Sequence, residues 1–332
     1  MNREEFLANR RSGIGGSDVA ACLGLSPWRT PVQVWENKTG RETSDINSDA
    51  AHFGTILEDI VAKEFSSRMG LRVQKVNTTM RSGENGWQIA NIDRAVVNPD
   101  IAGRVFVLDE QAKKETGRQI STDTILECKT ANSFSAHLWG ETQEHEIKAG
   151  QIVTEHKIPI YYETQVQWYM GITGAKTCYV AVLIGGQDFR IYKVDRNEEV
   201  IEALTRGCFE FWHEYVVKDL PPQPVNIDDV RRLYKIERGP MIEATNEVAI
   251  DVGEIRTIRE RIDELKKQEE AVKTRLAIAI GDAEGITLNG ERVVTFKAQK
   301  SCRFDSTAFK KSDPLTWNRY AKESVTRVLK IY

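Results

Sequence analysis

The sequence predicts an α/β fold with a mixed central sheet flanked by helices, followed by a separate C-terminal accessory region. Three observations support this: short apolar and β-branched runs alternate with helical stretches, a proline-rich break lies at 221–224, and a charged helical repeat follows it. Strands interleaved with helices are typical of a sheet covered by helices. We therefore predict one domain at 1–220 and an accessory region at 221–332.

Each predicted element rests on periodicity or on glycine and proline signals. In chain order, the elements are a helical region at 3–70, strands at 71–77 and 86–97, a polar insertion at 100–122, a strand at 124–131, an excursion at 132–160, a helix around Gln165, a hairpin of strands at 176–184 and 188–194, and a helix at 196–217.

The C-terminal region is predicted to be a scaffold. Apolar residues recur there at spacings of three and four between Ile255 and Leu276, with Glu269 at one of these positions, which predicts a helical arm or a coiled coil. Asn289-Gly290 between two short β-type runs predicts a tight hairpin.

Composition excludes several protein classes. The 332 residues are 40% hydrophobic and 29% charged, with a net charge of −3, as expected of a soluble globular protein. No apolar stretch approaches the roughly 18 residues of a membrane span, and the N-terminus has no signal-peptide pattern. Five dispersed cysteines indicate a reducing cytoplasm and argue against disulfides, zinc or an iron–sulfur cluster.

The most informative segment is Thr124 to Ala131. In a strand, Glu127 and Lys129 share one face, and an apolar run of this kind should be buried. Glu-x-Lys occurs five times in the sequence, but only at Glu127 is it flanked by apolar residues and preceded by a strand-like segment that contains an acid, Asp93. This pattern indicates a metal-dependent nuclease, and the alternative is a cross-strand ion pair without chemistry.

Phosphodiester hydrolysis accounts for these residue types. A divalent cation held by hard oxygen ligands activates water and neutralises the extra charge of the transition state. Asp93 and Glu127 are the predicted ligands, the backbone carbonyl of Cys128 is a third, and Lys129 would orient the water or stabilise phosphate charge. Glu58 lies at the edge of a helical apolar stripe, where it is either a boundary residue or a further ligand.

The chain resembles the YqaJ-type viral recombinases, relatives of phage lambda exonuclease within the PD-(D/E)xK nuclease superfamily. The resemblance rests on six motifs in the family's order: Arg11-Ser12-Gly13-Ile14-Gly15-Gly16-Ser17-Asp18, Leu25-Ser26-Pro27-Trp28-Arg29-Thr30-Pro31, Gly54 to Glu58, Asp93, Glu127-Cys128-Lys129 and Gln165-Val166-Gln167. The match covers residues 10 to 217. It departs from the strict motif in that Ile92, not proline, precedes Asp93.

This resemblance implies a restriction-endonuclease-like core and a site for one or two Mg²⁺ or Mn²⁺ ions. Glu58, Asp93, Glu127, Lys129 and Gln165 would form the catalytic set. Arg11 and Ser17 would bind a 5′-phosphate, in agreement with the expectation that Ser17 caps a helix beside an arginine.

The implied function is digestion of linear double-stranded DNA from the 5′ end, which leaves 3′ overhangs for phage-type recombination. The implied partners are DNA ends, a single-strand annealing protein and further copies of the chain in a ring, possibly a trimer. An endonuclease on the same core and a DNA-binding accessory protein that no longer cuts are the alternatives.

Overall fold

The computed structural model describes residues 8–41, 49–98, 103–140, 158–323 and 325–332. The chain divides into two compact units, residues 1–233 and 234–332. The predicted boundary at 220/221 lies before this division because helix α7 (Ile227–Leu233) joins the first unit. Asp229 accepts a hydrogen bond from Thr30, and Arg232 forms an ion pair with Glu36.

The first unit is built on a five-stranded mixed sheet. Its strands are, in spatial order, β2 (Val73–Lys75), β5 (Arg94–Val96), β6 (Thr124–Ala131), β7 (Thr177–Ile184) and β8 (Asp188–Asp195). Strands β6 and β7 pair in parallel, and the other pairs are antiparallel. Strand β6 is thus central, and its bounds are those predicted.

A second, three-stranded sheet consists of β1 (Ile14–Gly15), β4 (Gln88–Ala90) and β3 (Met80–Arg81), with β4 in the middle. The strand predicted at 86–97 is therefore two strands, β4 and β5, which belong to different sheets. The N-terminal region, predicted to be helical throughout, also contains β1, because Ile14 pairs with Gln88 in β4. Asn91 and Asp93 lie where the chain passes from one sheet to the other.

Helices cover both faces of the five-stranded sheet. The helices of this unit are α1 (Gly16–Cys22), α2 (Pro31–Lys38), α3 (Asp49–Met69), α4 (Glu110–Thr116), α5 (Ile160–Thr173), α6 (Glu198–Phe211), which continues as a π-helix to Val217, and α7. Helix α2 begins where Thr30 accepts the amide hydrogen of Gln33 and Pro31 supplies the first helical φ. Helix α5 ends at Gly174, where φ is +73°.

The two faces of β6 contribute to two apolar cores, because successive side chains of a strand alternate. Ile125 belongs to the large core with α1, α2, α5 and α6, whereas Leu126 packs against Val61 and Phe65 of α3. The α/β fold with a mixed sheet flanked by helices is confirmed. Part of the predicted excursion, residues 141–157, and part of the polar insertion, residues 100–102, lie outside the described residues, as do residues 3–7 and 42–48 of the predicted N-terminal helical region.

The second unit contains a 35-residue helix, α8 (Asn246–Ile280), and an antiparallel hairpin of β9 (Gly285–Leu288) and β10 (Glu291–Thr295). The hairpin turns at Asn289 and Gly290, both with positive φ. Two short helices follow, α9 (Ser306–Ser312) and α10 (Pro314–Tyr320). No helix in the described part of the chain combines the length and apolar character needed to cross a membrane.

Candidate active site

A cavity of about 210 Å³ opens between the start of α1, strand β6 and helix α5. Its lining includes Asp93, Glu127 and Gln165 of the predicted set, together with Ser17. On the order of seven waters fill such a volume, at about 30 Å³ each. The cavity can therefore hold a phosphate-sized group together with an ion.

The strand register brings the two acids together. Arg94 of β5 lies opposite Leu126 of β6, so continuing this antiparallel register by one residue sets Asp93 opposite Glu127. Directly opposite residues have Cβ atoms about 4.5–5.5 Å apart where pairing continues. The amide of Cys128 donates to Asp93 Oδ2 at 2.8 Å and fixes this carboxylate against β6. Residues separated by 34 positions thus share one site.

Glu127, Lys129 and Gln165 form a closed hydrogen-bonded network. The Lys129 ammonium donates to Glu127 Oε1 at 2.7 Å and to Gln165 Oε1 at 3.1 Å, and Gln165 Nε2 donates to the same Glu127 oxygen at 2.7 Å. Gln165 Nε2 also contacts the Tyr169 hydroxyl at 3.1 Å. All three side chains are therefore held in single orientations.

The other carboxylate oxygen of Glu127 has no partner. Oε2 is buried and makes no hydrogen bond within the described residues, although Oε1 accepts two. A buried carboxylate oxygen without a donor is unfavourable and calls for an explanation. A cation at Oε2 would supply the missing interaction.

Burial disfavours the charged forms of both acids, and at Asp93 the neighbouring charge of Glu127 adds to this effect. Burial, followed by the charge of Glu127, raises the pKa of Asp93 to about 8. Burial likewise raises the pKa of Glu127 above its usual range, although Lys129 opposes this. Burial alone would lower the pKa of Lys129, but the charges of Glu127 and Asp93 outweigh it and raise that pKa. The lysine is therefore a cation, and a metal ion bound beside the two acids would favour their charged forms.

Glu58 does not line this cavity. Its carboxylate accepts from Arg94 at 2.5 Å and lies 3.5 Å from the ammonium of Lys75. Arg94 pairs with Leu126, so it projects from the α3 face of the sheet, opposite to the face of Glu127. Among the described residues, no three His, Cys, Asp or Glu side chains are grouped to hold a metal. The structure therefore brings together two of the three predicted carboxylates.

The predicted phosphate-binding residues are arranged differently from the expectation. Ser17 lines the cavity, but Arg11 is exposed, and it is Arg10 that lines the cavity and donates to Ser17 Oγ at 3.2 Å. Ser17 is also not the helix cap, because α1 begins at Gly16 with Gly15 as its cap. Both arginines lie in one helical turn, residues 8–11, and the sequence contains no signal that selects between them.

Asp18 anchors the cavity wall, a role that the sequence did not reveal. Its buried carboxylate accepts from Lys38 at 2.6 Å, from Arg29 at 2.8 Å and from the amide of Gly15 at 3.2 Å. Lys38 also donates to the carbonyl of Arg10 at 2.7 Å. Burial would raise the pKa of Asp18, but the two cations hold it well below its usual range. The Asp18 carboxylate thus stays charged inside the protein. It holds Gly15 directly, and it holds Arg10 through Lys38.

Gly16 and Tyr169 complete the wall. A Cβ at Gly16 would lie 2.5 Å from the Tyr169 ring and 3.0 Å from Gln165, so only glycine lets α1 approach α5 this closely. The sequence did carry a signal for Tyr169, because it lies one helical turn after Gln165 on the same face.

Comparison with known proteins places these residues in context. Residues 5–176 match the model of the YqaJ-like viral recombinase domain. The uncharacterized protein YqaJ of Bacillus subtilis (strain 168) is 31% identical over 335 residues, an alignment that covers 98% of this chain and 92% of YqaJ.

Among solved structures, this one is similar to an alkaline exonuclease (LHK-Exo) from Laribacter hongkongensis, with a TM-score of 0.46 and 17% identity over 70% of this chain and 98% of that one. It is also similar to a phage-related exonuclease from Haemophilus somnus 129PT, with a TM-score of 0.39 and 12% identity over 62% of this chain and 96% of the other.

Proposed function

Because the chain belongs to the YqaJ-like viral recombinase family, we propose that it is a metal-dependent exonuclease that digests linear double-stranded DNA from its 5′ ends. The product would be a duplex with 3′ single-stranded overhangs, the substrate of strand annealing in phage-type recombination.

The observation that carries this proposal is the unpartnered Oε2 of Glu127, with Asp93 beside it and Lys129 fixed on Oε1. A purely structural ion pair would satisfy both oxygens of a buried carboxylate. Here Lys129 and the side-chain amide of Gln165 both donate to Oε1, and Oε2 is left for a ligand. That division suits a catalytic site better than a structural one.

The residues present fit a hard divalent cation. Asp93 and Glu127 would hold one or two Mg²⁺ or Mn²⁺ ions, because such hard ions prefer carboxylate oxygen ligands. The Cys128 carbonyl is a further candidate, since N–H and C=O of one strand residue face the same neighbour and its N–H faces Asp93. Glu58, which is paired with Arg94 and does not line the cavity, is not part of this proposed ligand set. When bound, the metal would supply a nucleophilic water and a counter-charge for the phosphate.

The protein's own groups would orient the reactants. Lys129, held by Glu127 and Gln165, presents a fixed positive charge where the phosphate gains charge in the transition state. Lys129 donates to Glu127 and to the side-chain carbonyl of Gln165, so the lysine cannot rotate away without breaking two hydrogen bonds. The Gln165 amide in turn donates to Glu127 and fixes that carboxylate. Arg10 and Ser17 at the opposite wall would bind the terminal 5′-phosphate, the role expected at first for Arg11.

Digestion of end-labelled linear duplex, with and without a 5′-phosphate, tests the proposal. We expect Mg²⁺-dependent release of nucleotides from the 5′ end and no cleavage of closed circular duplex. Lys129→Ala and Glu127→Gln should abolish release. The matched control is Lys193→Ala, because Lys193 and Asp195 form an ion pair two residues apart on β8, away from the cavity.

Arg10→Ala should remove the preference for phosphorylated ends, whereas Arg11→Ala should preserve it. Activity retained by both Lys129→Ala and Glu127→Gln would refute the proposal. Cleavage of the closed circle would instead indicate an endonuclease, and metal binding without cleavage would indicate a DNA-binding accessory protein. Partnership with an annealing protein and assembly into a ring of copies, possibly a trimer, in the cytoplasm are further parts of the proposal.

A further inference from the structure

A row of three aromatic side chains leads from the candidate active site to the surface. The Tyr162 ring centroid lies 4.8 Å from Lys129 Nζ, Tyr161 lies 4.6 Å from Tyr162, and Trp28 lies 4.3 Å from Tyr161. Trp28, at the end of the row, is 63% exposed. We infer that this row, which we call the aromatic row, is a stacking platform for an unpaired nucleobase at the DNA end, an inference that rests on the proposed function.

The loop that carries Trp28 is rigid. Ser26 Oγ accepts the amide hydrogens of Trp28 and Arg29 at 3.2 and 3.3 Å, and the Arg29 side chain is bound to the buried Asp18. An indole that is largely exposed but held on a fixed backbone loses little freedom when it binds a flat ligand. Asp18 also holds Arg10 at the cavity wall through Lys38, so the same carboxylate positions both the aromatic row and the cavity.

The position of the row suits a base next to the phosphate that is cleaved. Trp28 is 6.2 Å from Tyr162, so its ring lies within about 11 Å of Lys129 Nζ. That span corresponds to about three steps of 3.4 Å along one strand. A base on Trp28 would therefore belong to the first few nucleotides of the end.

The chemistry of the row suits any base. Every nucleobase has a π-face, and stacking on aromatic side chains does not depend on sequence. An enzyme that digests DNA of any sequence needs a contact of this kind, because hydrogen bonds to base edges would make its rate depend on the base. The edge-on contact of Tyr161, at 66° to Trp28, leaves the outer surface of the indole exposed for stacking.

The experiment compares wild type, Trp28→Ala and Trp28→Phe on 5′-phosphorylated duplexes, each with one abasic site at positions one to four of either strand. Binding is measured in EDTA and single-turnover hydrolysis in Mg²⁺. On intact DNA, Trp28→Ala should weaken binding by about 5- to 150-fold, and Trp28→Phe should retain most of it. The Trp28→Ala penalty should vanish at one abasic position, which identifies the strand and the base.

Phe209→Ala is the matched control, since Phe209 is also a half-exposed aromatic with ring neighbours, Trp87 and His213, and does not line the cavity. It should bind every duplex as wild type does. The inference is overturned if the Trp28→Ala penalty is absent, as expected of a surface for a protein partner, or is equal on every abasic duplex, as expected of a structural role. If binding shows this dependence on the abasic position but the wild-type protein cleaves no DNA, the proposed function is refuted and the stacking inference stands.

Discussion

Replacing Asp93 by asparagine should make the metal-free protein more stable, and by an amount that grows with pH. The structure places Asp93 in a buried position beside Glu127, where its pKa rises to about 8 from an ordinary value of 3.8. Asparagine has the same shape and can still accept the amide hydrogen of Cys128. The substitution therefore removes the titratable group and keeps the hydrogen bond.

The magnitude follows from the difference in proton binding. Between pH 4 and 8 the folded state keeps the Asp93 proton that the unfolded state releases, so the free energy of unfolding falls as pH rises. Each pH unit in this window costs about 1.4 kcal/mol. From pH 5 to 7 the Asp93→Asn variant should gain roughly 3 kcal/mol relative to wild type.

Urea unfolding in EDTA at pH 5, 6 and 7, followed by tryptophan fluorescence, measures this difference. Six of the seven tryptophans, all except Trp317, lie in the first unit and report its unfolding. Glu84→Gln, which removes an exposed carboxylate, is the control and should show no such trend. Saturating Mg²⁺ should restore the stability of wild type, by about 2.7 kcal/mol at a hundredfold excess over Kd, and leave the variant unchanged. Parallel pH curves for wild type and Asp93→Asn would refute the assignment of Asp93 as a charge-destabilised metal ligand.

Three further outcomes follow from the structure. Asp18→Asn should cost about 3–5 kcal/mol in urea unfolding at pH 7, because it leaves the buried ammonium of Lys38 without its counter-charge. Since the pKa of Asp18 is lowered, its contribution is complete above pH 4 and is lost as pH falls below that value, so the cost should shrink in acid. Gly16→Ala should lower stability by about 1–3 kcal/mol, because its methyl group would collide with the Tyr169 ring, and nuclease activity should fall with it. A chain that ends at Leu233 should melt as one cooperative unit, whereas one that ends at residue 220 should melt at a lower temperature because it loses the contacts of α7. Equal melting temperatures of the two truncated chains would show that α7 is dispensable.

The sequence predicted the central strand and its acid–base pair well, because both depend on local pattern. A β-branched apolar run forms a strand largely regardless of context, and the period of two fixes which side chains share a face. The Glu-x-Lys pair therefore could be selected from five similar motifs by its neighbours alone. The hairpin at Gly185 and Gly186 was also predictable locally, because two adjacent glycines between β-type runs favour a tight turn. In the structure both glycines adopt positive φ.

What the sequence did not predict depends on contacts between distant segments. Assigning 86–97 to one strand was reasonable locally, but the pairing of β4 with Ile14 and Gly15 draws it into another sheet. That Arg10 rather than Arg11 contacts Ser17 depends on how one helical turn is rotated relative to Ser17. The ion pair of Glu58 with Arg94 depends on which face of the sheet each side chain occupies. None of these relations is encoded within a short window of sequence.

The pairing of β1 with β4 fixes the distance between the two ends of the candidate site. Ile14 and Gly15, within the segment from Arg10 to Ser17, pair with β4, and Asp93 follows the end of β4 by three residues. The distance from Arg10 and Ser17, which would bind the DNA terminus, to Asp93 therefore cannot increase unless the three-stranded sheet is disrupted. An exonuclease with this fixed distance would release products of one constant length in every cycle, independent of base sequence.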